Sequence, residues 1–310
     1  MRVLPWKKNA KKQDFLNLIR EHFPELRFSK SRIFRHGYDH HVLMLDDKYI
    51  FRFPKKEYRE RFKSEVRLLK YLQNRIKLSI PNYTYVAKDL SFGGYKKVQG
   101  HEMRQYLLKQ LPIDRKKYIA KQLGQFLTQM HSTPISKVRQ VGIEDEHVGG
   151  YWWSKKNCQE LIRKLRTKVY PKLNKEEIRW IEKKYDERLR LPLDVKLVAL
   201  HNDFGSEHIL FDPDKGRVTG VIDFADIEVG DPALDFALLW VYGKKFVYWV
   251  LDNYDHPVDQ CFLARSKFSE IIMPANDLLD SLEGVELSWT FDEFREKLNK
   301  HMYKYPSTFV

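Results

Sequence analysis

Apolar residues at Phe15, Ile19 and Phe23 recur every four positions and predict an amphipathic first helix. The period then falls to two. "HHVLMLDDKYIFRFPKK" alternates apolar and polar side chains around Asp46-Asp47 and reads as a β-hairpin. In "YRERFKSEVRLLKYLQNRI" the period returns to helical, with Phe62, Val66, Leu69, Leu72 and Ile76 on one face. "IPNYTYVA" and "LSFGGYKKVQG" predict two more strands, the second ending at Gly100. This first part is a small, mostly antiparallel sheet with one prominent helix.

Beyond Gly100 the pattern is helical. "DRKKYIAKQLGQFLTQMHS" is a helix that stops before Pro134, and "YWWSKKNCQELIRKLRTKVYPKLNKEEIRWIEKKYDERLR" is a helix, a break at Pro171 and a second helix. Two short apolar strands with acidic tips follow, in "VALHNDFGSEHILFD" and "VTGVIDFADIEVGDPALDFALLW", and the chain is mainly helical from Pro232 onward. No repeat or low-complexity linker interrupts it. The fold class is α+β, with two lobes: residues 1–97 as a sheet lobe and residues 98–310 as a larger, mainly helical lobe holding the acidic hairpin.

The tips of those strands carry the chemistry. Asp203 and Asp223 end neighbouring apolar strands joined by a tight hairpin, which brings two carboxylates together. Close carboxylates repel unless a cation or a shared proton lies between them. Phosphoryl transfer from a nucleotide needs such a pair, one to orient or deprotonate a hydroxyl and one to hold magnesium, together with a cation on the inner phosphates. His208 lies five residues after Asp203, at the spacing of a metal ligand in a protein-kinase catalytic loop. In "KYIFRFP", alternation places Tyr49, Phe51 and Phe53 on one face and Ile50 with Arg52 on the other, so Arg52 is a cation in an apolar strand. Glu65 follows on the next helix. Singly, Arg52 and Glu65 read as solvated surface residues and His131 as a buried, hydrogen-bonded structural histidine. Their order (cation, helix acid, catalytic acid, turn ligand, metal acid) is what carries the reading.

The blocks "GYDHHVLMLDDKYIFRFPKK", "SEVRLLKYL", "YKKVQG", "LGQFLTQMHS", "LHNDFGSEHILFD" and "GVIDFADIEVGDPALDFALLW" resemble the aminoglycoside phosphotransferase family, which has the two-lobed protein-kinase-like fold. They run from about residue 35 to about residue 240 in the family's order. The "HNDF" segment, the histidine at the turn-ligand position and "GDP…DF" look nearest to the 2''-phosphotransferases. The resemblance implies Asp203 as catalytic aspartate, His208 and Asp223 as magnesium ligands, Arg52 in place of the phosphate-binding lysine and Glu65 as its ion-pair partner. It implies that Asp231 and Asp235 buttress the active-site loops. The bland reading of that segment is a helix start, with Pro232 in the first turn. An arginine here can grip an oxygen pair but cannot lose its proton, and a histidine offers nitrogen to an ion that prefers oxygen. The loop "FRHGYDHH" has one glycine and no GxGxxG, so its fit to a phosphate-covering loop rests on backbone N–H groups alone.

"GGYKKVQG" is expected to line the base pocket, with Lys97 at its edge and Tyr95 at what resembles the gatekeeper position. In the 2''-phosphotransferases a tyrosine there goes with GTP over ATP as donor, which implies the same for this chain. A polycationic aminoglycoside needs an acidic pocket, and Asp203, Asp226, Glu228, Asp231, Asp235 and Glu270, followed by Asp277 and Asp280, supply acids. Trp240, Tyr242, Tyr248 and Trp249 are candidate walls for sugar rings or core residues. The same fold also suits a macrolide or another hydroxylated metabolite as acceptor.

Composition limits the rest. With 56 Lys plus Arg against 42 Asp plus Glu the formal charge is +14, which admits a nucleic-acid-binding or catalytically inactive kinase-like protein as a remote alternative. The basic residues are dispersed, with no Arg/Gly tract, so nucleic acid is not the expected partner. Two cysteines without CxxC spacing fit a reducing compartment. The basic start lacks an apolar signal core, and "LDFALLWVYGKKFVYWVL" is broken by Lys244 and Lys245, so the expectation is a cytoplasmic monomer with no membrane span.

Overall fold

The computed structural model describes residues 10–34, 39–143, 155–191, 195–283 and 289–306. Much of the phosphate-covering loop expected in "FRHGYDHH", the first nine residues and the "YWW" start of one expected helix lie outside them.

The first helix, α1 (Lys12–His22), buries Phe15, Leu16 and Ile19. It covers one face of a five-stranded antiparallel sheet of order β1-β2-β3-β5-β4, with β1 Ser31–Phe34, β2 His40–Leu45, β3 Tyr49–Pro54, β4 Tyr83–Val86 and β5 Gly93–Lys96. Phe15 packs against Phe53 at 4.7 Å and Phe53 stacks on Phe92 at 4.7 Å, so the odd-numbered face of β3 is the α1 face. The opposite face carries Arg52 and receives α2 (Arg59–Leu72), through Phe62 and Tyr83 at 5.5 Å. Period-two alternation thus delivers a single cation to the helix-covered face of an apolar strand.

The β2–β3 turn differs by one residue from a two-residue hairpin. Asp46 and Asp47 adopt φ of 51° and 53°, and Lys48 joins the turn, so that Val42 pairs with Arg52. The Asp46 carboxylate anchors the turn by accepting from the backbone N–H groups of Ser29 and Lys30. Ile76, expected on α2, lies beyond its end but is still buried. Strand β5 stops at Lys96 rather than Gly100, because Lys97 makes the last bond to β3's turn, from its N–H to Lys48 O. Gly100 then turns at φ 137°, where an added Cβ would meet Thr219 Oγ1 at 2.3 Å.

After β6 (His101–Glu102) come α3 (Gln105–Gln110), α4 (Ile113–His131), α5 (Ile135–Gln140), α6 (Lys155–Lys164) and α7 (Lys175–Leu189). The break at Pro171 is a π turn, Leu165–Val169, followed by a 3₁₀ turn, Tyr170–Lys172. Asn174 then starts α7 with a reciprocal capping box to Glu177. The acidic segment builds β7 (Val198–Leu200), β8 (Ile209–Asp212), β9 (Arg217–Val221) and β10 (Glu228–Gly230). Pairing is β10 with β7, and β6-β8-β9 in a separate sheet. The two acids therefore do not end strands of one hairpin: Asp203 follows β7 and Asp223 follows β9. The segment after "GDP" opens as 3₁₀ turns, Pro232–Phe236 and Leu238–Tyr242, before α8 (Lys244–Leu251), α9 (Phe262–Leu282) and α10 (Phe291–Lys304). One core joins α2, α4, α8 and the β8–β9 hairpin, and a second joins α6, α7, α9 and α10. The fold is two-lobed α+β. No helix among the described residues is long and apolar enough to cross a membrane.

Candidate active site

Arg52 is 4% exposed, and burial works against its charge. Asp223 and Glu65 outweigh this and hold its pKa well above the ordinary value. Its two terminal nitrogens divide the work. Nη1 donates to Glu65 Oε1 at 2.9 Å, and Nη2 donates to Asp223 Oδ1 at 3.0 Å across the lobes. Nη2 also lies 3.1 Å from His40 Nδ1 and 3.5 Å from Asp39 Oδ2. Tyr83 OH donates to the same Glu65 oxygen at 3.2 Å, while Glu65 Oε2 is buried without a partner. Burial pushes the Glu65 carboxyl up to about 7 against the pull of Arg52. Asp39 and His40 were not singled out from the sequence.

Asp223 sits in the left-handed region, at φ 62°, immediately beyond β9 and Ile222. Burial opposes its charge, but Arg52 and then His208 hold its pKa well below the usual carboxylate range. Asn202, beside Asp203, also has a positive φ, 65°. Such residues are costly and persist where surrounding bonds over-determine them. Here Asp235 supplies those bonds. Its Oδ2 accepts from His201 N–H at 2.8 Å and its Oδ1 from Asn202 N–H at 2.7 Å. His131 Nε2 lies 2.9 Å from Asp235 Oδ2, and His131 Nδ1 2.6 Å from Tyr254 OH. His201 Nδ1 accepts from Asp203 N–H at 3.3 Å and its Nε2 meets Ile222 O at 3.1 Å, tying both acidic tips together.

His208 stands between the two acids. Its Nδ1 is 2.9 Å from the backbone oxygen of Asp203 and 3.2 Å from Oδ2, and its Nε2 is 3.8 Å from Asp223 Oδ2. Burial works against its proton, but the Asp203 hydrogen bond and the charges of Asp203 and Asp223 push its pKa up to about 9. With Nδ1–H given to Asp203 O, Nε2 is the ring nitrogen turned to Asp223 Oδ2, and only on losing its proton would it become free to ligate a metal. Among the described residues no group of three His, Cys, Asp or Glu is arranged to hold a metal. Magnesium does not need one, since it takes one or two protein ligands and completes its shell with phosphate and water oxygens.

The other sequence candidates divide. Tyr95 is 5% exposed on the Arg52 face, its ring 5.0 Å from that of Tyr83. Lys97 pairs with Asp47 at the sheet's turn. Asp226 and Glu228 share Arg61 of α2, at 3.2 Å and 3.6 Å, and burial pushes them up to about 6 and about 7. Asp231 and Asp235 are 0% and 1% exposed, which removes both from direct contact with an acceptor. Asp231 caps the 3₁₀ turn through Ala233 N–H and is gripped by Arg265, itself tied to Asp259. Glu270 is turned to Lys267, Lys304 and the Tyr305 hydroxyl. Asp277 pairs with Lys297 of α10. Trp240 donates to Ser266 Oγ at 2.9 Å and Tyr242 to Met103 O, so both serve packing. Cys158 is buried, Cys261 is half-buried and neither is in a disulfide.

A cation from the sheet lobe meets the Asp223 carboxylate of the helical lobe, with the accessible Asp203 carboxylate on the other side of His208. Residues 30–260, most of the chain, match the Phosphotransferase enzyme family. The chain belongs to that family. Its fold is that of the GDP complex of aminoglycoside 2'-phosphotransferase-IIIa, with a TM-score of 0.85 over 95% of this chain and 99% of that one at 22% identity. Aminoglycoside phosphotransferase APH(2'')-Ib with ADP bound gives 0.73 over 97% and 100% at 21% identity. Macrolide 2'-phosphotransferase MphH from Brachybacterium faecium gives 0.70 over 93% and 97% at 18% identity. A curated relative, uncharacterized protein YcbJ of Bacillus subtilis (strain 168), is 42% identical over 57 residues, 18% of each chain. The protein is thus a phosphotransferase by family, with the two-lobed kinase-like fold.

Proposed function

We propose that the chain transfers the γ-phosphoryl group of a nucleoside triphosphate to a hydroxyl of a cationic, aminoglycoside-like small molecule, the 2''-hydroxyl being the first candidate. The observation that carries this is the convergence of Arg52, Asp223, His208 and Asp203, within hydrogen-bond or ion-pair distance of one another in sequence. Asp203 orients the acceptor hydroxyl and takes its proton at the carboxylate oxygen that His208 leaves open. Arg52, fixed by Glu65, holds the inner phosphates. Asp223 Oδ2 and His208 Nε2 are the groups that hold magnesium, which when bound neutralises charge on the phosphates. Displacement is in line, without a covalent enzyme intermediate.

Residues 1–97 form the nucleotide lobe in this reading, and residues 98–310 carry the acceptor. Tyr95 crowds the deep end of the base site, which supports GTP as donor over ATP. Asp226 and Glu228, half-exposed or at the cleft side of β10, are the acids left to receive an acceptor amine once Asp231, Asp235 and Glu270 are assigned to internal bonds. The likeness to a macrolide phosphotransferase keeps a macrolide as second acceptor class.

The test is nucleotide turnover with magnesium, GTP and ATP in parallel, across aminoglycosides and macrolides, with Asp203→Ala as control. Aminoglycoside-dependent turnover that disappears in the variant supports the reading. Acceptor-independent hydrolysis alone sinks the aminoglycoside assignment, and a lower Michaelis constant for ATP sinks the GTP assignment.

A further inference from the structure

On the far side of the interlobe linker from Arg52, a cavity of about 730 Å³ opens between β4, the linker Lys96–Gln99, α4 and β9. Of the candidate site residues only Lys97, turned to Asp47, lines it. Its charged lining is wholly basic: Lys77, Lys96, Lys97 and Arg217. Lys97 is neutralised by Asp47. Lys77, Lys96 and Arg217 are exposed, and no carboxylate among the described residues lies within ion-pair distance of them. Three unpaired cations around one concavity repel each other, a cost that an anion relieves.

At the floor of the cavity the Thr219 hydroxyl is turned to Gly100 and shielded from solvent, and the neighbouring Gln122 is satisfied in both directions by Val218. The cavity is also held open by backbone. Val221 N–H donates to Ser79 O at 2.9 Å, and a Cβ on Gly220 would meet that oxygen at 2.5 Å, so the segment after α2 is clamped to β9 at the cavity's edge. The volume lies within the ~300–1,000 Å³ range of small-molecule sites.

We propose that this rear cavity binds a small polyphosphate-bearing anion, separately from the nucleotide in the cleft. Lys77, Lys96 and Arg217 take the phosphate oxygens. Because the walls come from β4 and the linker on one side and from α4 and β9 on the other, the anion crosslinks the two lobes behind their connection. Two sources share this chemistry, inorganic polyphosphate and a nucleotide's own phosphate chain.

Calorimetric titration of the full chain with inorganic tripolyphosphate, at low salt and without magnesium, tests this. The proposal expects binding that survives Arg52→Met and weakens at least about tenfold in Lys77→Glu/Arg217→Glu, with further weakening as salt screens the charges. Lys96→Ala, which leaves the exposed backbone intact, is expected to weaken it severalfold if the double variant does not fold. A parallel titration with GTP in Arg52→Met separates the sources: binding lost on Lys77→Glu names a nucleotide as the ligand, and binding of tripolyphosphate alone names the inorganic anion. Tripolyphosphate binding that is unchanged by the Lys77, Arg217 and Lys96 substitutions, or that vanishes with Arg52→Met while circular dichroism shows that variant folded, overturns the proposal. Loss of aminoglycoside turnover with this binding intact would bear on the function of the cleft and not on the rear site.

Discussion

Arg52 Nη2 lies 3.0 Å from Asp223 Oδ1, joining a sheet residue to an acid 171 positions later in the other lobe. The same guanidinium holds Glu65 at 2.9 Å, so one side chain neutralises two acids that face the cleft. Removing it leaves buried charge. Arg52→Met is expected to cost about 3–5 kcal/mol, the usual penalty for breaking a buried pair from one side. Adding Glu65→Gln to it is expected to restore part of that loss. Urea unfolding of the single and double variants measures both, and equal stabilities would show that the pair is not coupled.

Asp203→Asn keeps the shape of the loop and removes the base. Turnover is expected to fall by about 10²–10⁴ with an unchanged nucleotide dissociation constant. Steady-state kinetics beside a nucleotide titration checks this. A loss of nucleotide affinity in place of rate would move Asp203 from the acceptor to the donor side.

Asp235 touches neither substrate in this arrangement, but it holds the N–H groups of His201 and Asn202 and the ring of His131. Asp235→Ala is therefore expected to lower both the melting temperature and the turnover number. His131→Ala, which keeps the two loop bonds, is expected to lower stability with a smaller effect on rate. The split between the two variants separates loop positioning from packing.

Glu228 carries the pH dependence expected of acceptor binding. Burial raises its pKa to about 7, above the ordinary 4.5, so the folded protein keeps its proton at pH values where the unfolded chain has lost it. Its effect on stability is therefore a penalty, absent below about pH 4.5 and growing as pH rises to about 7. Binding of a cation has the opposite sign. The Michaelis constant for a polycationic acceptor is expected to fall as pH rises from about 6 to about 8, and Glu228→Gln is expected to flatten the profile. An unchanged profile in the variant would remove Glu228 from the acceptor site.

His208 offers nitrogen where a hard ion prefers oxygen. Replacing it as His208→Asn is expected to lower the magnesium concentration for half-maximal activity severalfold while turnover persists. Activity measured against a magnesium series decides it, and a higher requirement in the variant would show that the imidazole is the better ligand.

Much of this site is legible as an order of residue types along the chain. Arg52 is readable because alternation in "YIFRFP" isolates one cation, and Asp203, His208 and Asp223 because polar tips interrupt apolar strands. The nearness of Asp203 and Asp223 is readable but the route to it is not, since they follow strands that pair in different sheets rather than one hairpin. Asp39 and His40 were hidden by register. A two-residue turn at Asp46-Asp47 sets Phe51 opposite Val42, whereas Lys48 joins the turn and sets Arg52 there, with His40 two residues along on the same face. The acids after Asp223 look alike in sequence. Only burial separates Asp231 and Asp235, which serve the loop, from Asp226 and Glu228, which reach the cleft.

The division of Arg52's nitrogens also constrains what can stand in its place. A lysine has a single charged atom and cannot reach Glu65 on one side and Asp223 and His40 on the other, as the forked guanidinium does. Exchange for a lysine strands at least one carboxylate unless its neighbours change in the same step. Arg52, Asp39, His40, Glu65 and Asp223 thus behave as one electrostatic unit, in which a change at one member is felt by the rest.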